Sequence, residues 1–159
     1  IAAEKAGWGR KLPKGRALGV AIMEGYGTYM AQVAEVSVTD GNPKVHKVWV
    51  VSDQGNMVNP EIVRQQLESG IIYGLSGALY TENTLANGRI QQANFNDFPP
   101  IRQNQAPVID VTLVETANKP GGVGEPSTSL IGPAVANAIF AATGKRVRSM
   151  PLAKGLKSA

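Results

Sequence analysis

The sequence contains no cysteine and only one histidine, His46. Without thiols the chain can form neither a disulfide nor a cysteine-ligated metal site or iron–sulfur cluster. A single histidine also argues against a histidine-based metal site and against a Ser-His-Asp triad. No apolar run reaches the roughly 18–20 residues of a membrane-spanning helix, and no signal peptide is visible. The sequence therefore leaves the cellular compartment open.

The chain does contain enough apolar material for a core. Its 159 residues suit a single domain over residues 1–159, and 43% of them are hydrophobic. The excess positive charge lies near the two ends, and we interpret residues 1–16 and 152–159 as solvated, flexible flanks. The alternative is an anion or nucleic-acid patch, but no nucleic-acid motif supports it. Because the chain opens at Ile1 in a helical pattern, we expect it to be the C-terminal piece of a longer polypeptide.

Hydrophobic periodicity predicts an α+β fold with an antiparallel or mixed sheet and packed helices. Alternating apolar residues predict strands over residues 17–24, 28–39, 45–51 and 109–114. Asp40-Gly41 is a strong turn signal, so the second and third strands should form an antiparallel hairpin. Asn87-Gly88 predicts a further turn between short strands, and residues 93–107 read as a long loop marked by prolines.

The sequence also predicts two longer helices. The first follows Asn59, because asparagine caps helices and Pro60 suits the first turn, and it runs to about residue 82. The second covers residues 133–143, where alanine is abundant, and ends at Gly144. The abundance of alanine predicts a slim helix that packs closely against its neighbours.

A stripe of small residues follows one face of the first long helix. Gln66, Gly70, Gly74 and Gly77 recur at spacings of four, four and three residues. Glycine inside a helix costs roughly 1 kcal/mol against alanine, so this face must be approached very closely. Another helix and a bound ligand both satisfy that requirement, and the pattern alone leaves the two alternatives open.

The run GGVGEP at residues 121–126 displays a single carboxylate, that of Glu125, between a glycine-rich turn and a proline. A residue that precedes proline is held in an extended conformation. The run lacks the lysine of a phosphate-binding loop and the spacing of a dinucleotide fingerprint. A general base is the functional interpretation of Glu125. The structural alternative is a glutamate that caps a helix or forms a surface ion pair.

These motifs resemble the xanthine dehydrogenase and aldehyde oxidase family of molybdenum hydroxylases. The run at 121–126 and the segment from Gly144 to Pro151 resemble the C-terminal end of that family's large subunit. The helix that contains Gln66, Gly70 and Gly74 resembles its cofactor-side helix. Finer details resemble one branch, the β subunit of isoquinoline 1-oxidoreductase and related aldehyde dehydrogenases. Those details are YMAQVAEV at 29–36, NFNDFP at 94–99 and AATGKR at 141–146.

The resemblance implies the C-terminal cofactor-binding domain of a bacterial molybdenum-dependent oxidoreductase. Such enzymes oxidise an N-heterocycle or an aldehyde with oxygen derived from water. Glu125 matches the catalytic general base, and Gln66 matches a glutamine that hydrogen-bonds the cofactor. Gly122 and Gly124 would let the loop approach the metal. The implied cofactor is molybdenum on molybdopterin, in its cytosine dinucleotide form.

The resemblance also implies partners. The family's iron–sulfur clusters need cysteines, so they must lie on a separate subunit or another domain, and the resemblance implies an iron–sulfur small subunit. The rest of the large subunit should supply most cofactor contacts, and we expect the isolated chain to be inactive. The chain departs from the family's common pattern at Ser69 and Tyr73, where glycine and glutamine are frequent. Phe95, Phe98 and Arg102 either face a substrate funnel or serve packing.

A second interpretation comes from a different class of function. The glycine stripe and the alanine-rich helix would then form an assembly surface that buries a partner subunit, without catalysis. Metal analysis of the full-length protein distinguishes the two interpretations. Absence of molybdenum after expression with intact cofactor synthesis would favour the assembly domain.

Overall fold

The computed structural model describes residues 1–158 as a mixed four-stranded sheet with helices packed on it. The strands are β1 (Arg16–Gly25), β2 (Thr28–Thr39), β3 (Asn42–Asp53), β4 (Leu85–Ala86), β5 (Arg89–Ile90) and β6 (Val108–Leu113). The helices are α1 (Ala2–Lys5), α2 (Pro60–Leu79), α3 (Pro126–Thr143) and α4 (Leu152–Ser158). The sheet order is β1-β2-β3-β6, with β6 parallel to β3 and the other pairs antiparallel. The predicted α+β class is confirmed.

Two-residue turns join three antiparallel pairs. They are Tyr26–Gly27 between β1 and β2, Asp40–Gly41 between β2 and β3, and Asn87–Gly88 between β4 and β5. Every residue of the three turns has positive φ, between 50° and 74°. Such turns match the right-handed twist of the flanking strands, which is why Asn-Gly and Asp-Gly favour them. The predictions for the second and third turns are confirmed.

Helix α2 begins where the sequence predicts, because the residues at its start cap it. The Asn59 side-chain oxygen accepts hydrogen bonds from the backbone N–H groups of Glu61 and Ile62, at 3.0 and 3.2 Å. Pro60 occupies the first turn, where its missing N–H has no intrahelical partner to lose. The helix ends at Leu79, so the predicted end near residue 82 is three residues too late.

The predicted start of α3 is wrong. The helix begins at Pro126, and Pro133, where the prediction starts it, is an exposed residue inside it. Solvent at this position can satisfy the carbonyl that loses its partner to proline. The predicted end is confirmed, because Gly144 has φ of 73° and its N–H donates to the Phe140 carbonyl at 2.8 Å.

Helices α2 and α3 cover one face of the sheet and pack against each other. Their shared core includes Leu67, Ile71, Leu75, Ile131, Val135 and Ile139, all fully buried. A Cβ on Gly70 would lie 2.0 Å from the Ser127 Oγ, and one on Gly74 would lie 2.6 Å from the Thr128 carbonyl. A Cβ on Gly77 would meet only Thr81, at 3.9 Å. Helix packing therefore explains the first two glycines of the stripe.

The abundance of alanine in α3 serves a close crossing over β1. A Cβ on Gly19 would lie 2.1 Å from the backbone nitrogen of Ala138, so position 19 has no room for a side chain. Ala134 and Ala138 are fully buried at this crossing. The prediction of a slim, closely packed helix is confirmed.

Parts of both flanking segments are packed, contrary to their interpretation as flexible flanks, although residue 159 of the second segment lies outside the described residues. Ala6, just after α1, is 1% exposed against the far face of the sheet. Leu152 and Leu156 of α4 are 3% exposed in the main core. Apolar residues spaced four apart anchor α4 while its lysines stay in solvent. Among the described helices, none combines the length and apolar character needed to cross a membrane.

Candidate active site

Glu125 occupies the N-terminal end of α3, at the residue that precedes the helix. Its side chain is exposed and makes no capping hydrogen bond. None of the ion pairs among residues 1–158 includes it. Neither structural alternative for Glu125, capping or a surface ion pair, is realised. Its ψ of −21° also corrects the expectation of an extended backbone at this residue.

A cavity of about 620 Å³ opens in front of Glu125. Three parts of the chain supply its walls: the end of β1 with its turn, the middle of α2, and the loop that leads into α3 together with the first turn of that helix. The lining residues are Met23, Tyr26, Ser69, Gly70, Tyr73, Gly124, Glu125, Thr128 and Ser129. Polar and aromatic groups thus surround one carboxylate, as in a site that binds a ligand and moves a proton.

The β1–β2 turn holds the glycine loop that precedes Glu125. The Gly122 N–H donates to the Tyr26 carbonyl at 2.8 Å, and the buried Thr28 hydroxyl donates to the Gly122 carbonyl at 2.8 Å. A Cβ on Gly121 would lie 2.4 Å from the Gly27 carbonyl oxygen. Glycine is therefore required at 121 by the approach of another part of this chain, and a side chain at 122 would be crowded by Tyr26, whose Cβ would lie 3.1 Å away.

Gly124 differs from the glycines before it. A Cβ at this position would meet no atom within 4 Å, and the residue lines the cavity next to Glu125. Gly122 is not among the lining residues, and its missing side chain leaves room for Tyr26, 3.1 Å away. The cofactor contacts predicted for Gly122 and Gly124 stay predictions.

Gln66 lies one helical turn before Gly70 on α2, and its side chain is exposed. Residues three and four apart share a helix face, so Gln66 points to the same side of α2 as Ser69 and Gly70. The cavity itself ends at those two residues and does not reach Gln66. Its predicted hydrogen bond to a cofactor stays a prediction.

Two tyrosines that the sequence did not assign to the site line the same cavity as Glu125. Tyr26 is 65% exposed, and its hydroxyl is 3.5 Å from the Glu125 Oε2, across a separation of 99 residues. Tyr73 is 75% exposed on α2 and lines the same cavity. Tyr26 could have been identified from the sequence, because it occupies a turn position where asparagine or glycine is expected.

A buried hydroxyl without a partner lies behind one wall of the cavity. Ser127 is fully buried, and its Oγ has no hydrogen-bond partner among residues 1–158. It contacts Gly70, which lines the cavity. A buried polar group usually has a partner, so an unmet hydroxyl under a glycine-lined wall fits a polar ligand in this cavity. Within the same described residues, no cluster of three or more His, Asp or Glu converges to hold a metal ion.

The second region considered for substrate contacts lies elsewhere. Phe95 and Phe98 line a separate cavity of about 400 Å³ together with Ile90 and Asn94. Arg102 is exposed and belongs to neither cavity. Within residues 1–158 these side chains are not brought together with Glu125.

Comparison with known proteins gives the family. Residues 9–107 match the molybdopterin cofactor-binding domain. The chain belongs to this family. The matched residues include the β1–β2 turn and Gln66 but end before Glu125, so the role of Glu125 is not tested by the match.

Two relatives of this molybdopterin-binding domain support the family assignment, although the two have different names. The chain is 39% identical to the isoquinoline 1-oxidoreductase subunit beta of Brevundimonas diminuta, over 97% of this chain and 20% of that protein. It is 36% identical to a membrane-bound aldehyde dehydrogenase (pyrroloquinoline-quinone) of Gluconacetobacter polyoxogenes, over 94% of this chain and 20% of that protein. The chain thus spans about a fifth of the length of these curated relatives.

The fold recurs in a solved structure. The aldehyde oxidoreductase of Desulfovibrio desulfuricans ATCC 27774 superposes with a TM-score of 0.72 and 27% identity. The superposition covers 83% of this chain and 15% of that one. The predicted resemblance to the molybdenum hydroxylases and the predicted cofactor-binding fold are therefore confirmed.

Proposed function

We propose that this domain is part of the large subunit of a molybdenum hydroxylase in which Glu125 is the general base. The enzyme oxidises an N-heterocycle or an aldehyde and takes the added oxygen from water. The observation that supports this most strongly is the setting of Glu125. Within residues 1–158 it forms neither an ion pair nor a capping hydrogen bond, and it lies at the wall of a cavity in a molybdopterin-binding domain.

The setting suits a proton acceptor. A general base must be ionised and within reach of the proton that it abstracts. Glu125 meets the requirement of reach, because its exposed side chain lies at the N-terminal end of α3 and lines the cavity. Because no lysine or arginine binds the Glu125 carboxylate among the described residues, its oxygens are available to the ligand in the cavity.

Residues on two walls of the cavity would hold the cofactor. Gly70 and Gly124 give smooth walls, the Ser127 hydroxyl lies under Gly70, and Gln66 extends the same face of α2. We assign to this cavity the molybdenum–molybdopterin cofactor in its cytosine dinucleotide form. When bound, that group supplies the redox chemistry by accepting the electrons that leave the substrate.

The absence of cysteine from this chain bears on its partners. It has no cysteine, so the iron–sulfur clusters that pass electrons onward belong to a separate small subunit. We also assign to the rest of the large subunit the contacts that complete the cofactor site. We accordingly expect the isolated 159-residue chain to be inactive.

The surface that the assembly interpretation assigns to a partner subunit is used for packing within the domain. That interpretation requires the glycine stripe and the alanine-rich helix to face a partner, but Gly70 and Gly74 pack against α3. Alanines of α3 pack against β1 in the same way. These surfaces are used within the domain, which favours the enzyme.

The test is Glu125→Gln in the complete enzyme, which removes the basic carboxylate and keeps its size. We expect turnover of both an aldehyde and an N-heterocycle, followed with a dye acceptor, to fall at least about a thousandfold. Molybdenum and pterin content should stay near the wild-type level. Glu115→Gln, an exposed glutamate away from this cavity, is the matched control and should keep full activity. Substantial turnover by the Glu125→Gln enzyme would refute the assignment.

A further inference from the structure

Three two-residue turns of the same backbone type allow an internal comparison. Asp40–Gly41 and Asn87–Gly88 use the residue types that tolerate positive φ, with φ of 51° and 50° at the first position. The β1–β2 turn has a tyrosine at that position, with φ of 59°. Positive φ is costly for a bulky side chain, because its Cβ approaches the backbone. Strain of this kind persists where the surroundings hold it in place, and it is concentrated at functional sites.

The surroundings of Tyr26 do hold it. Its carbonyl accepts from the Gly122 N–H at 2.8 Å, and its Cβ would be 3.1 Å from a side chain on Gly122. Thr28, two residues later, is fully buried and donates to the Gly122 carbonyl at 2.8 Å. The backbone of this turn therefore sets the path of the loop that ends at Glu125.

In addition to this backbone contact, the side chain of Tyr26 lies close to Glu125. Its hydroxyl lies 3.5 Å from the Glu125 Oε2, which is longer than the roughly 2.5–3.0 Å of an ordinary O–H···O hydrogen bond. Both side chains line one cavity, where catalytic hydrogen bonds are often long without ligand and shorten in the complex. Among the described hydrogen bonds, Tyr26 provides the side-chain donor to this carboxylate.

We infer that Tyr26 is a positioning residue: it adopts a strained turn conformation so that its hydroxyl fixes the orientation of the Glu125 carboxylate. The inference rests on the proposed function of Glu125. It goes beyond that function because it assigns a role to a residue of the β1–β2 turn, 99 positions away in sequence. A turn-forming residue at position 26 would relieve the strain and lose the donor.

Two variants of the complete enzyme separate these roles. Tyr26→Phe removes only the hydroxyl, and we expect kcat to fall roughly tenfold, the worth of one hydrogen bond to a charged group, with KM unchanged. Tyr26→Asn restores the preferred turn residue and should lower kcat at least as much. Its melting midpoint should not fall, because strain is relieved and the lost side chain is 65% exposed.

Asn87→Tyr is the matched control. It introduces the same strain at a turn where φ is 50° and which does not line the cavity. We expect its melting midpoint to fall while kcat stays at the wild-type value. Molybdenum and pterin content is measured for every variant, so that loss of cofactor is separated from loss of positioning.

A double variant tests whether Tyr26 acts through Glu125. Tyr26→Phe added to Glu125→Gln should cause no further loss, because the group that the hydroxyl orients is already gone. Wild-type kcat in Tyr26→Phe, with Glu125→Gln inactive, would overturn the Tyr26 inference and leave the proposed function intact. A Tyr26→Phe enzyme that loses cofactor or melts earlier would also overturn it. Retained activity in Glu125→Gln would overturn both.

Discussion

Two glutamates of this domain lie in opposite surroundings. Glu35 in β2 is 5% exposed, and its two oxygens accept hydrogen bonds from Arg16 at 2.5 Å and Arg10 at 2.6 Å. Glu125 is exposed at the start of α3, and its described side-chain contact is a phenol at 3.5 Å. Both are single carboxylates on the same scaffold, but among the described residues only Glu35 has its charge matched by ion pairs.

The difference separates a structural carboxylate from one that is free to react. Glu35 uses both oxygens to tie the segment after α1 to the sheet, and proton uptake there would break two ion pairs. Glu125 is held through the backbone instead, by the contacts of residues 121 and 122 with the β1–β2 turn. Its oxygens therefore stay available to whatever occupies the cavity.

Replacing each glutamate with alanine should give the largest contrast in stability. Glu35→Ala leaves two guanidinium groups beside a buried site, and we expect the free energy of unfolding to drop by about 3 kcal/mol. This is the low end for a broken buried pair, since the arginines are 35–39% exposed. Glu125→Ala should change it by less than about 0.5 kcal/mol. Urea denaturation of the chain measures both, and equal effects would contradict the contrast.

A smaller effect is expected from the backbone that holds Glu125. A methyl group on Gly121 would lie 2.4 Å from the Gly27 carbonyl, so Gly121→Ala must displace the loop. We expect a loss of about 2 kcal/mol, typical of overpacking. Gly124→Ala, three residues on, meets no atom within 4 Å and should cost much less. The same denaturation experiment compares them, and equal losses would show that the turn does not constrain the loop.

The smallest predicted effect is the acid sensitivity of the Glu35 ion pairs. Burial alone would raise the pKa of Glu35, but hydrogen bonds and positive charge from Arg16 and Arg10 outweigh it and lower the pKa below its ordinary 4.5. A carboxylate with a lowered folded-state pKa stabilises the fold above its unfolded pKa, and the stabilisation disappears as pH falls through the folded value. The stability gap between wild type and Glu35→Gln should therefore be constant near neutral pH and shrink below about 4.5. A gap that is independent of pH down to about 3 would contradict this.

Sequence reasoning succeeded where local chemistry decides the structure. The Asp40–Gly41 turn, the Asn59 cap and the Gly144 stop all follow from short-range backbone preferences, and all are confirmed. Prediction from the sequence failed where packing between distant segments determines the structure. The start of α3 was placed at Pro133, although a proline can lie inside a helix when its side faces solvent. Helix α4 was missed because it depends on the burial of Leu152 and Leu156 in a core formed by distant segments.

The candidate site also has a part that a local sequence pattern predicts and a part that depends on long-range contacts. Glu125 was found from its glycine-rich surroundings, which are a local pattern. Tyr26 was missed because its contact with Glu125 spans 99 residues and arises only when the β1–β2 turn meets the loop before α3. Gly122 was assigned to the approach of a cofactor, and the structure adds a reason within the chain, the close passage of Tyr26. No sequence pattern distinguishes those two reasons for a glycine.

The central claim is that Glu125 accepts the proton on which substrate oxidation depends. The most direct measurement is the rate at which substrate reduces the complete enzyme in a single turnover, without oxygen or any electron acceptor, in stopped flow. The account predicts that Glu125→Gln with full cofactor content is reduced at least about a hundredfold more slowly than wild type. Equal rates of reduction in the two enzymes would contradict it.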